Sequence, residues 1–157
     1  MTEFIYILLL SLVPTFDGRY AIIYGIGRGY PLWDTLLAAF LGVLILSLIL
    51  PFALPLIDVL MLKLKLKRTF LQKFADLYLG YIERVRKKAR PYIERWGFIG
   101  LAIFVAIPLP GTGVWTGSLA AYIFGMEKRK TIPALLIGGL LSILITLMPS
   151  LGIVRMI

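Results

Sequence analysis

The chain has 157 residues, of which 60% are hydrophobic and 16% charged, where soluble domains carry roughly 45–50% and 25%. With a mean hydropathy of +0.93, a soluble fold this short could not hide its apolar surface, so the composition specifies a membrane protein. The absence of cysteine and histidine excludes disulfides, thiolate nucleophiles and sulfur-ligated metals, and leaves no basis for histidine-based zinc or acid–base chemistry. No metal or cofactor is expected.

Four apolar stretches follow in chain order. Met1 to Pro14 lacks a basic leader and a small-residue cleavage site, so it is expected to stay on the mature protein. Within it, Phe4 to Val13 is too short to cross ~30 Å of hydrocarbon. It breaks at Pro14-Thr15-Phe16-Asp17-Gly18-Arg19 and resumes from Tyr20 to Gly27, which predicts a re-entrant hairpin over 4–28. Trp33 to Ile57 is a spanning helix, since 25 residues at ~1.5 Å rise reach roughly 37 Å. Pro51 and Pro55 are expected to kink or end its last turns. Phe98 to Ile107 is again short, breaks at Pro108-Leu109-Pro110-Gly111-Thr112-Gly113, and resumes from Val114 to Phe124, a second hairpin over 98–125. Thr131 to Leu151 is a second spanning helix, with Pro133 near its start, where proline is tolerated.

The fold expected is all-α and integral to the membrane. It consists of two inverted-topology repeats, 1–57 and 96–157, joined by a basic linker over 58–95. At an offset of 96, Thr35, Ala38, Gly42, Leu44, Leu48 and Ile49 meet Thr131, Ala134, Gly138, Leu140, Leu144 and Ile145; at 94, Pro14 meets Pro108. Half-length segments in matching positions of opposed halves point to a transporter's binding site.

Charge sets the topology. Of 17 Lys and Arg, 11 fall between Asp58 and Arg95, beside four acids, the pattern of a cytoplasmic loop in a plasma-membrane protein. Both termini then lie outside, and Glu127-Lys128-Arg129-Lys130 lies inside. No motif supports nucleic-acid binding, which is not expected. Phe70, Phe74, Leu77, Tyr78, Tyr81, Ile82 and Val85 recur at helical spacing in the linker, as either an interfacial helix drawn to anionic lipid or a plain connector. Small residues such as Gly138-Gly139 offer a homodimer face.

The chemistry concentrates at the two breaks. Ionisable groups at membrane depth mark a pathway or a buried pair, and Asp17 and Arg19 sit at a break that frees backbone groups. Arg19 is a forked permanent cation suited to phosphate, and half-helix N-termini favour anions. Asp17 can cap the helix that it begins, or carry a proton. The alternative is structural, with Asp17 a satisfied cap and Arg19 tied to carbonyls. In the second break Gly111 and Gly113 permit close approach, while Thr112, Thr116 and Ser118 offer hydroxyls. Gly113, Gly117 and Ala121 also form a small-residue packing run. Trp33 and Trp96 fit interfacial positions; Trp115 lies deeper, lining the pathway or packing in the core. Few carboxylates, no paired acids within a segment, no G-x-S-x-G and no phosphate-binding loop give no case for an enzyme.

The stretch VPTFDGRYAIIYGIGRGYP resembles the first motif of the small multidrug export protein family, Pro-x-x-Glu-x-Arg followed by an apolar half-helix. VAIPLPGTGVWTGSLAAYIFGMEKRK resembles its second. The family is similar to the DedA (VTT-domain) superfamily, which implies opposed re-entrant hairpins and movement of polyprenyl phosphate or phospholipid between leaflets. The resemblance puts Asp17 on the acidic position, one methylene shorter than Glu, and Arg19 on the arginine. Pro108, Pro110, Gly111 and Thr112 fall on the second motif, which lacks the arginine that DedA relatives carry there. The expectation is a transporter of an anionic lipid. Arg19, Gly111, Thr112, Gly113 and Thr116 would hold the phosphate, Asp17 would gate or couple to protons, and Pro14, Gly18, Pro108 and Pro110 would make the breaks. The alternatives are a small-molecule or multidrug exporter and a non-transporting structural membrane protein.

Overall fold

A computed structural model describes residues 2–14, 17–66 and 72–156. The described residues form six helices and no strand: α1 (Thr2–Leu12), α2 (Asp17–Gly27), α3 (Leu32–Leu66), α4 (Gln72–Ala106), α5 (Val114–Ile123) and α6 (Lys128–Met156). Two of them, α3 and α6, are long and apolar enough to cross a membrane.

Their packing is inside-out relative to a soluble bundle. The buried face of α6 carries a small or hydroxylic stripe, Thr131, Ala134, Gly138, Ser142, Thr146 and Ser150, at three- and then four-residue intervals, beside Leu135 and Ile143. Its outer face carries Ile137, Leu141, Leu144, Ile145 and Met148. On α3, Thr35, Ala38, Ala39, Gly42 and Val43 face inward, and Leu37, Leu48, Ile49 and Phe52 outward. Helices packed in lipid gain little from burying large apolar side chains and much from close backbone approach. The identities between the halves divide accordingly. Thr35/Thr131, Ala38/Ala134 and Gly42/Gly138 are buried, whereas Leu48/Leu144 and Ile49/Ile145 are exposed.

The glycines sit where helices touch. A Cβ on Gly42 would run into Ser11 of α1, and one on Gly138 would meet the Ala102 carbonyl and Val105 of α4. Gly139 faces Val43 where α3 and α6 cross. Gly138-Gly139 is therefore consumed inside the chain and offers no face to a second copy. Gly117 likewise packs on Val105 and Leu135, so the small-residue run of α5 serves packing.

Several boundaries differ from expectation. Pro51 and Pro55 do not end α3, which continues to Leu66; neighbouring helices hold the chain helical past its missing N–H donors. Residues 58–66 thus belong to α3 and not to a separate linker. Gly18 makes no break: it lies in the first turn of α2 against Val43 and the Ala39 carbonyl. Thr15 and Phe16 of that break, and Phe70 of the linker, lie outside the described residues.

Gly97 of α4, at φ 51° and ψ −118°, divides that helix into 72–96 and 98–106. The second piece doubles back on the first, with the Tyr92 and Phe104 rings 5.8 Å apart and Gly100 under the Tyr92 carbonyl. The buried face of 72–96 is Ala75, Val85, Ala89 and Ile93. Phe74, Leu77 and Tyr81, expected to share one apolar stripe with Val85, are exposed. The short side chains win the inner face because they let the helix lie close to its neighbours.

Candidate functional site: the junction of the two breaks

The first break ends on Asp17, which starts α2 with a positive φ of 49°. That backbone is uncommon for a non-glycine residue but enriched for Asp, and here Oδ1 accepts a 2.7 Å hydrogen bond from the Gly18 N–H. The other oxygen, Oδ2, accepts from the backbone N–H of Val114, 3.1 Å away, at the first position of α5. Gly113, the N-cap of α5, has no side chain to do this. Asp17 was expected to cap the helix that it begins; it caps the matching helix of the other half.

Arg19 does the converse. Its Nη1 donates to the carbonyls of Ile107 (3.1 Å) and Leu109 (3.4 Å) and to Thr112 Oγ1 (3.3 Å). These carbonyls close the C-terminal end of the 98–106 segment, where Pro108 and Pro110 supply no N–H donors. Nη2 lies 3.5 Å from Asp17 Oδ2, and Asp17 and Arg19 are only 5% and 6% exposed. An anion thus sits on a helix N-terminus and a cation on a helix C-terminus, the favourable sign at each end of the backbone dipoles.

The second break is shaped to receive them. Thr112 shares its hydroxyl proton between the carbonyls of Ile107 (2.6 Å) and Leu109 (2.8 Å), and its oxygen accepts from the Leu109 N–H (3.3 Å). A Cβ on Gly113 would collide with the Asp17 carboxylate and come within 2.9 Å of Arg19 Nη2. Gly111 turns the chain at φ 79°. Trp115, half-buried, donates its indole N–H to the Leu12 carbonyl at the end of α1, 3.1 Å away, and so ties α5 to the first half.

Above the junction lies a cavity of about 300 Å³, lined by Pro14, Tyr20, Tyr81, Pro110, Gly111 and Thr116, with Asp17, Arg19 and Gly113 at its base. Of the residues expected to hold a phosphate, Arg19, Gly111, Gly113 and Thr116 line this cavity and Thr112 lies behind it against Arg19, but their polar groups are largely engaged with one another. Arg19 is spent on carbonyls and on Asp17, leaving Nε as its buried atom without a partner. Thr112 is saturated, and the Thr116 hydroxyl lies 3.0 Å from that of Tyr81. Among the described residues no cluster of three potential ligands could hold a metal.

Two contributors were missed in the sequence, both from the basic segment. Tyr81 closes the cavity, and Lys88 Nζ donates to the Pro110 carbonyl, 3.3 Å away. The signal was present in the four-residue spacing of Val85, Ala89 and Ile93, which buries one face of 72–96 and leaves Lys88 beside it. Lower on the same helix Tyr78 neighbours Asp58, itself hydrogen-bonded by Tyr122 (2.9 Å). Burial, and after it the negative charge of Asp58, pushes the Tyr78 phenol up to about 12.

No curated protein and no solved structure matches the chain. The family model of small multi-drug export proteins matches residues 17–145, from Asp17 at the end of the first break, across the second break and into α6; on that match the chain belongs to the small multi-drug export protein family, a family of membrane proteins.

Proposed function

We propose that the chain is a membrane exporter of small molecules, built as two inverted repeats whose re-entrant hairpins lock together through Asp17 and Arg19. The observation that carries this reading is the reciprocal capping. The charged pair of one hairpin closes both broken helix ends of the other, so the cavity above them opens or shuts as the hairpins part or meet. Contacts between equivalent positions support the inverted repeat. Val43 and Gly139 are 96 positions apart, as are Asp17 and Gly113, and each pair is in contact. A two-fold axis brings such equivalents face to face.

Family membership favours export of small molecules over movement of a lipid phosphate, and the engagement of Arg19 with carbonyls points the same way. The substrate leaves chemically unchanged. Asp17 is the coupling group: protonation removes its charge, weakening both the Arg19 pair and the cap on α5, so that a proton gradient drives opening. The basic segment faces the cytoplasm, where anionic lipid holds it, and any homodimer uses a surface other than Gly138-Gly139.

The test is efflux of a fluorescent dye from proteoliposomes under an imposed pH gradient, comparing the native chain, Asp17→Asn and empty vesicles. Gradient-dependent efflux that disappears in Asp17→Asn, at matched folded yield, supports the reading. Native rates equal to those of empty vesicles overturn it. A phospholipid-scrambling assay on the same vesicles tests the lipid alternative.

A further inference from the structure

A second cavity, of about 390 Å³, opens beside the first and is lined by Tyr81, Arg84, Val85, Lys87, Lys88 and Gly111. The two share Tyr81 and Gly111 as a common wall at the turn of the second break. The charged residues of the outer wall, Arg84, Lys87 and Lys88, are all basic, set beside Tyr81, Val85 and Gly111. The nearest acids of the same helix are already matched, Glu83 with Arg86 (2.8 Å) and Glu94 with Arg90 (3.0 Å). Among the described residues Arg84, Lys87 and Lys88 have no acidic partner. The inner cavity offers no compensating charge, because Asp17 is balanced by Arg19. A cleft lined by one sign of charge concentrates the opposite sign by about 10- to 1,000-fold.

We infer that the groove between 81–88 and the 110–113 turn is the entrance to the junction cavity and selects anionic substrates, with Lys88 and Arg84 as specificity-determining residues. This rests on the exporter reading and assigns its substrate class. Lys88 acts at the turn of the second break, where its ammonium group donates to the Pro110 carbonyl: an arriving anion recruits the ammonium and loosens the turn carrying Gly111 and Thr112. The anion is a soluble carboxylate, sulfonate or phosphate, or the phosphate of a lipid headgroup, and the chemistry of recognition is the same.

The lack of cysteine makes the test direct. Thr116→Cys places a single thiol in the inner cavity, and Tyr81→Cys is a second reporter at its mouth. The protein is reconstituted in zwitterionic phosphatidylcholine vesicles. Its alkylation by an anionic and by a cationic methanethiosulfonate is normalised to a free thiol in solution. The expected result is a preference of about tenfold for the anionic reagent, abolished when Arg84, Lys87 and Lys88 are all changed to Gln. Inorganic pyrophosphate should slow the reaction if soluble anions occupy the groove; phosphatidylglycerol in the vesicles should slow it if headgroups do. Equal or cation-favoured rates, a ratio unchanged in the triple variant, or no reaction at either reporter would overturn the inference. Dye efflux from the same preparations separates the two readings. Efflux without anion preference removes the entrance and leaves the exporter, whereas preference without efflux does the reverse.

Discussion

The two breaks have the same architecture and opposite contents. The first contributes charge: Asp17 and Arg19, on a helix whose own start is conformationally unusual. The second contributes uncapped backbone: two prolines, glycines at 111 and 113, and one threonine that gathers the loose ends. Neither is satisfied alone. A buried proline–glycine turn leaves carbonyls and N–H groups without partners, and a buried carboxylate or guanidinium without its partner is equally unfavourable. Each break therefore holds what the other lacks.

The sharpest way to break that complementarity is to remove one charge. Arg19→Met leaves Asp17 buried without its partner and should lower stability by about 3–5 kcal/mol, read as denaturant or thermal unfolding in detergent micelles. Asp17→Asn combined with Arg19→Met should cost less than the sum of the two single changes, because the pair acts as a unit; strict additivity would mean that the two side chains do not act together. The receiving side comes next. Gly113→Ala pushes a methyl group into the carboxylate and should cost about 1–3 kcal/mol, whereas Ala at Gly27, which faces open space, should raise stability slightly or leave it unchanged. A smaller effect is expected at the tie between halves. Trp115→Phe keeps most of the ring and loses the bond to the Leu12 carbonyl, a change of about 0.5–1.5 kcal/mol measurable as a shift in melting temperature. The smallest is a pH effect away from the junction. Tyr78, with its phenol raised from 10.0 to about 12, favours the fold while it is protonated. That contribution is complete below pH 10 and is lost as pH rises through 12, so Tyr78→Phe should flatten the alkaline limb of a stability profile over that window.

Much of the fold was legible in the residues. Stretches too short to span, each interrupted at proline, set against two long apolar runs, pointed to an all-helical chain with two spanning candidates, α3 and α6. Asp17, Arg19, Thr112 and Gly113 stood out because charge, hydroxyl and glycine are rare in such surroundings. What local pattern could not show was the pairing. Arg19 reads as a phosphate ligand or as a side chain tied to carbonyls, and its carbonyl partners Ile107 and Leu109 lie nearly ninety residues on, beyond the reach of any local pattern. Pro51 and Pro55 read as stops because propensity is local, whereas the packing that carries α3 beyond them is not. Lys88 did not stand out among the basic residues of 58–95, since nothing before Gly97 announces that the chain reverses and brings this segment against the second break.

The reciprocal capping also constrains how the chain is made. Asp17 lies 97 residues ahead of the amide that it caps, and Arg19 lies 88 ahead of its first carbonyl. At about 5–20 residues per second, the first hairpin leaves the ribosome roughly 5–20 s before its counterpart exists. During that interval its two charges have only each other and water, so a stable seat in hydrocarbon must wait. On the proposed two-hairpin reading, insertion of the first half is completed by synthesis of the second, and a chain truncated before Val114 should leave its N-terminal segment at the membrane surface, open to proteases.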